Sequence, residues 1–67
     1  MKKGKNYKYT DIQNFANDND YRFEDFGVNL IGANFILLMN NQKDLTISFV
    51  LNGVGNEYIY ECIYSDI

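Results

Sequence analysis

A chain of 67 residues with 46% hydrophobic and 22% charged residues has the make-up of one small globular domain, and a chain this short buries only about 60% of the surface it exposes when unfolded. One cysteine, no histidine and no tryptophan exclude an internal disulfide framework, a zinc site of Cys and His ligands, and histidine-based acid–base catalysis. The net charge of −3 is uneven: Lys2, Lys3, Lys5 and Lys8 fall in the first eight residues, whereas from Tyr9 onward two basic residues face nine acidic ones, a balance that repels phosphates and anionic membranes and attracts basic partners.

In chain order, residues 1–8 are polar and basic and are expected to form a loosely ordered segment, followed by a single α+β domain over residues 9–67. A basic arm touching nucleic acid is the other use of such lysines, and it needs more positive charge and support from the fold. Met1-Lys2-Lys3 resembles the charged start of a signal peptide, but no apolar segment follows. Thr10-Asp11-Ile12-Gln13 fits a capping box with Thr10 as N-cap, and Ile12, Phe15 and Ala16 then share one helical face. Asn17-Asp18-Asn19-Asp20 ends this short helix, with Asn19 as a left-handed cap.

The remainder reads as strands. Tyr21 to Phe26 begins with alternation, Gly27 marks a bulge or bend, and Val28 to Ile31 continues the strand or forms another. Gly32-Ala33-Asn34 reads as a turn, Phe35 to Met39 as a buried strand and Asn40 to Asp44 as a polar loop. That unbroken apolar run is five residues long, against the roughly 20 that span a bilayer. Leu45, Ile47, Phe49 and Leu51 alternate on one face, Asn52-Gly53 is a hairpin signal, and Glu57 to Tyr64 is the last strand. The expected architecture is one short N-terminal helix packed on a three- to four-stranded antiparallel β-meander.

One short helix covers one sheet face. With Leu45 to Leu51 beneath it, joined by Tyr58, Tyr60, Cys62 and Tyr64, the other face would carry Ile36, Leu38, Val50, Ile59 and Ile63, an apolar patch of the kind that marks an interaction surface. Two readings compete for it: a first strand or N-terminal segment folded back over it, or self-association as a homodimer.

Asp18, Asp20, Glu24 and Asp25 place four carboxylates in eight residues. A calcium loop starting at Asp18 fails, because Arg22 and Phe23 stand at its fifth and sixth positions. What remains is a solvated loop or, with Tyr21, a recognition surface for a basic protein groove. The six tyrosines suit interfaces or a thin core, and base stacking lacks its positive groove. Cys62 has no histidine to activate it and reads as a small buried residue. Gly53-Val54-Gly55 has no helix after it, so no phosphate loop exists. No catalytic residue, metal or cofactor is expected, and the chain is read as a non-enzymatic protein-binding module without direct nucleic-acid or membrane contact.

Residues with AT-rich codons (Phe, Tyr, Met, Ile, Asn, Lys) number 35, against 8 for Gly, Ala, Arg and Pro, which points to an AT-rich genome. In size, acidity, coding bias and lack of catalytic residues, the chain resembles small phage- and prophage-encoded proteins of low-GC bacteria, notably anti-CRISPR and other anti-defence inhibitors. The resemblance covers general character and no residue pattern, so it carries over no functional residue. It implies a location in the bacterial cytoplasm and stoichiometric inhibition of a host nucleic-acid-handling complex, the partner being a basic nucleic-acid-binding protein. The alternative is a structural protein acting through homo-oligomerisation of its apolar sheet face.

Overall fold

The computed structural model describes residues 1–28 and 34–67. The elements are β1 (Asn6–Lys8), α1 (Tyr9–Asp18), β2 (Arg22–Val28), β3 (Asn34–Asn40), β4 (Leu45–Val54) and β5 (Tyr58–Ser65). All pairings are antiparallel, in the order β1-β5-β4-β3-β2. The fold is thus α+β and antiparallel as expected, but the sheet has five strands among the described residues rather than three to four: β2 to β5 form the meander and β1 is added beside β5.

Strand β1 corrects the expectation of a loosely ordered N-terminus. Tyr7 pairs with Tyr60, the Gly4 amide donates to the Cys62 carbonyl at 2.7 Å, and the Cys62 amide donates to the Lys5 carbonyl at 2.9 Å. Met1 packs against the core, and its carbonyl accepts from the Ser65 hydroxyl at 2.8 Å. Apolar side chains at Met1 and Tyr7, spaced among the lysines, hold the segment down.

Because the chain runs from β1 straight into α1, the helix starts earlier than the capping box implies. Lys8 is the N-cap, with extended backbone and no side-chain cap bond. Thr10 turns its hydroxyl to Glu57 instead, at 3.1 Å. At the other end Asn19 is not left-handed (φ −121°). Its amide and its side chain both donate to the Phe15 carbonyl, and Asp20 takes the positive φ of 59°.

Strands β1 and β2 are opposite sheet edges, so α1, which joins them, crosses one face of the sheet from edge to edge. It buries Ile12 and Ala16 against Ile36, Leu38, Ile47, Phe49, Tyr60 and Cys62, all 2% exposed or less. Tyr7 meets Phe49 edge-on at 6.2 Å.

Three register shifts set which side chains reach this core. On β2 the shift between Asp25 and Gly27 leaves Phe26 as the extra residue, with Gly27 at φ 62°; this is the bend expected at Gly27. On β5 the shift opposite Ser48 and Phe49 makes Ile63 the extra residue. Tyr64, expected in the core, therefore pairs with Ser48 on the far face and is exposed. On β4 the shift falls at Asn52, so Asn52-Gly53 lies within the strand and the turn sits at residues 55–57. The readings made for Asn29 to Ala33 lie outside the described residues. The polar turn after Asn40 is as expected, held by the Lys43 amide donating to Asn40 Oδ1 at 3.1 Å. Among the described residues no helix is long and apolar enough to cross a membrane.

Candidate functional site

A ten-residue helix is about 15 Å long at 1.5 Å per residue, while the molecule measures 33 × 25 × 18 Å. One face of the sheet is therefore partly covered, and the described residues lay nothing over the other.

The uncovered face differs from the expected one. Ile36 and Leu38 are fully buried beneath the helix, because Ile36 pairs with Phe49 and Leu38 with Ile47, two residues of the helix-side core. Their chain neighbours point the other way. Phe35 stands beside Val50, and Leu37 and Met39 continue the stripe along β3, all half-buried. Phe26, 55% exposed, lies 5.8 Å from the Phe35 ring. Val50 and Ile59 do lie on this face, and Ile63 is exposed at the β5 bulge. Phe35, Leu37 and Met39 were missed because the run Phe35 to Met39 is apolar at every position and carries no phase.

The strand residues that bring charge to this face are Lys8, Arg22, Glu24 and Glu61, placed there as cross-strand neighbours of Ile59, Met39, Leu37 and Val50. Beside the β3 stripe Arg22 and Glu24 cancel, with Arg22 Nε 3.0 Å from Glu24 Oε1. Lys8 Nζ reaches Glu57, the acceptor of the Thr10 hydroxyl, at 3.5 Å.

On the helix side, the corner left open beyond the start of α1 is a groove of about 510 Å³. Tyr9, Tyr58 and Tyr60 supply its rings, and Asp25, Glu57 and Asn34 its polar lining. Asp25 Oδ2 accepts from the Tyr9 hydroxyl at 3.0 Å, and Oδ1 accepts from the Gly27 amide at 2.9 Å. Burial raises the Tyr9 hydroxyl above the usual tyrosine value, and the hydrogen bond to Asp25 adds to this. Tyr60 is raised by burial and by the Asp25 charge, against a hydrogen bond to Asn34 that pulls it down. The Tyr9 hydroxyl donates its proton to Asp25, while the Tyr60 hydroxyl accepts from the Asn34 side-chain amide. Burial likewise pushes the Cys62 thiol up, opposed in part by a backbone hydrogen bond at Tyr64.

The five residues expected to form an acidic recognition surface are scattered. Asp18 ends the helix and Asp20 follows it, both exposed and without an ion-pair partner among the described residues. Tyr21 is half-buried, its ring 5.4 Å from Phe15 and its amide bonded to the Ala16 carbonyl. Glu24 and Asp25 are consecutive on β2, so strand alternation sends Glu24 to the uncovered face and Asp25 to the groove. No known protein family, no curated protein and no solved structure matches this chain.

Proposed function

We propose that this protein is a non-enzymatic binding module that works by stoichiometric protein–protein contact through the uncovered sheet face, and that the first occupant of that face is a second copy of the chain. The observation that carries the reading is the stripe of Phe35, Leu37 and Met39 beside Val50 and Ile59, flanked on β2 by Arg22 and Glu24, whose charges cancel in one ion pair. Two copies of an acidic protein repel one another in most orientations; they meet without that penalty where each is locally neutral. The edges oppose pairing through strands. β1 is three residues long and lysine-flanked, and β2 carries Arg22, Glu24 and a bulge. Face-to-face packing of two such sheets gives a sandwich about 10 Å thick between layers.

Sedimentation equilibrium from micromolar to millimolar concentration tests this. A reversible dimer is expected, and Leu37→Glu should weaken it by roughly a hundredfold, since burying an unpaired charge costs on the order of 3 kcal/mol. A strictly monomeric wild-type chain at millimolar concentration counts against the reading.

A second reading keeps the acidic surface as the working part, in an inhibitor of a host nucleic-acid-handling defence complex in the bacterial cytoplasm. Asp18 and Asp20, exposed and without an ion-pair partner among the described residues, favour it. It requires salt-sensitive capture of a basic nucleic-acid-binding protein that Asp18→Ala with Asp20→Ala weakens.

A further inference from the structure

We propose that the groove between the start of α1 and the β4–β5 turn receives an arginine side chain of a partner polypeptide. This site lies across the sheet from the uncovered face and goes beyond the reading above.

Four observations carry it. First, no basic side chain is among the described residues lining the groove, and Lys8 already pairs with Glu57, so the uncompensated charge there is Asp25. Second, that carboxylate is held and aimed. Each oxygen accepts one hydrogen bond from within the fold, from Gly27 and from Tyr9, which leaves a free lone pair on each. Two parallel acceptors suit the guanidinium fork better than the single point of an ammonium. Third, the walls are tyrosine rings. Tyr60 is buried and its ring is 5.9 Å from that of Tyr9, while Tyr58 is 47% exposed at the mouth. A planar cation stacks on such faces within about 6 Å of the ring centre. Fourth, the volume of about 510 Å³ exceeds one side chain and leaves room for the backbone that carries it. A guanidinium seated here would accept stacking from Tyr9 and Tyr58 while forking onto Asp25.

The probe is the peptide acetyl-Gly-Arg-Gly-amide, titrated into the isotope-labelled full chain and read by amide chemical shifts. Saturable shifts centred on Gly27, Asn34 and Tyr58 are expected. The matched citrulline peptide, equal in shape but uncharged, should cause none. Asp25→Asn should weaken binding by about tenfold, and Tyr58→Ala, which leaves the core intact, by several-fold. Equal response to the citrulline peptide overturns the proposal, as does unchanged affinity in both variants. Equal affinity for methylguanidinium overturns the polypeptide assignment, because a partner chain must gain from its flanking backbone. The Leu37→Glu chain should bind the peptide as the wild type does, so failure of the groove and failure of the sheet face are read separately.

Discussion

Ile36 and Leu37 are chain neighbours with opposite fates. Ile36 is fully buried between sheet and helix, while Leu37 stands half-buried on the uncovered face. Ile36→Ala should therefore cost about 2–5 kcal/mol in urea unfolding, enough to unfold much of a small domain, whereas Leu37→Ala should cost about 1 kcal/mol or less at concentrations where the chain is monomeric. Equal costs would contradict the face assignment. Gly27 offers a cleaner backbone test. A Cβ there meets nothing within 4 Å, but φ is 62°, so Gly27→Ala should cost roughly 1–2 kcal/mol from strain alone. Titration supplies a third. Tyr9, Tyr60 and Cys62 are all raised above their ordinary values, chiefly by burial. The folded chain then holds these protons to higher pH than the unfolded chain. Their contribution is full below about pH 8 and is lost as pH rises through the thiol and then the tyrosine range, near 10. Urea midpoints should be level from pH 7 to 8 and fall by pH 11; a midpoint that rises across that span would contradict the burial of these groups.

Among the elements, β1 turns a basic tail into an edge strand. The Gly4 and Cys62 amides bond across that edge, so their hydrogen exchange should be slowed well beyond that of exposed loop amides, and deleting residues 1–5 should free the Cys62 amide and lower stability. Fast exchange at both would restore the loosely ordered segment. This level also shows what was legible. The helix was visible in Ile12, Phe15 and Ala16, and β4 in the alternation from Leu45 to Leu51, because each pattern is local and its period names the element. The phase of β3 was not visible, because five apolar residues in a row satisfy either face and the choice is made by pairing with Phe49 and Ile47. The bulges at Asn52 and Ile63 were equally hidden. A register shift is a relation between two strands, so no window of one strand contains it, and Asn52-Gly53 carried a turn signal that the pairing overrode. For the groove, only Asp25 was singled out beforehand. Tyr9 lies on α1 and Tyr58 and Tyr60 on β5, so the three rings meet only through the crossing of α1.

At the scale of the molecule, the one short helix and five strands of the described residues leave more apolar sheet than they cover. The acidic balance that suggested a recognition loop is spread around the molecule, with Glu24 and Asp25 on opposite sides of the sheet and Asp18 and Asp20 at the helix end. What is concentrated in one place is the neutral, apolar face along β3. The central claim is that a second copy sits there. It is tested most directly by an isotope-filtered NOE experiment on an equal mixture of labelled and unlabelled chains at millimolar concentration. Contacts between chains should arise from the methyl groups of Leu37, Met39, Val50 and Ile59 and the rings of Phe26 and Phe35. Absence of any contact between chains, or contacts arising only from the groove or the helix, would contradict the account.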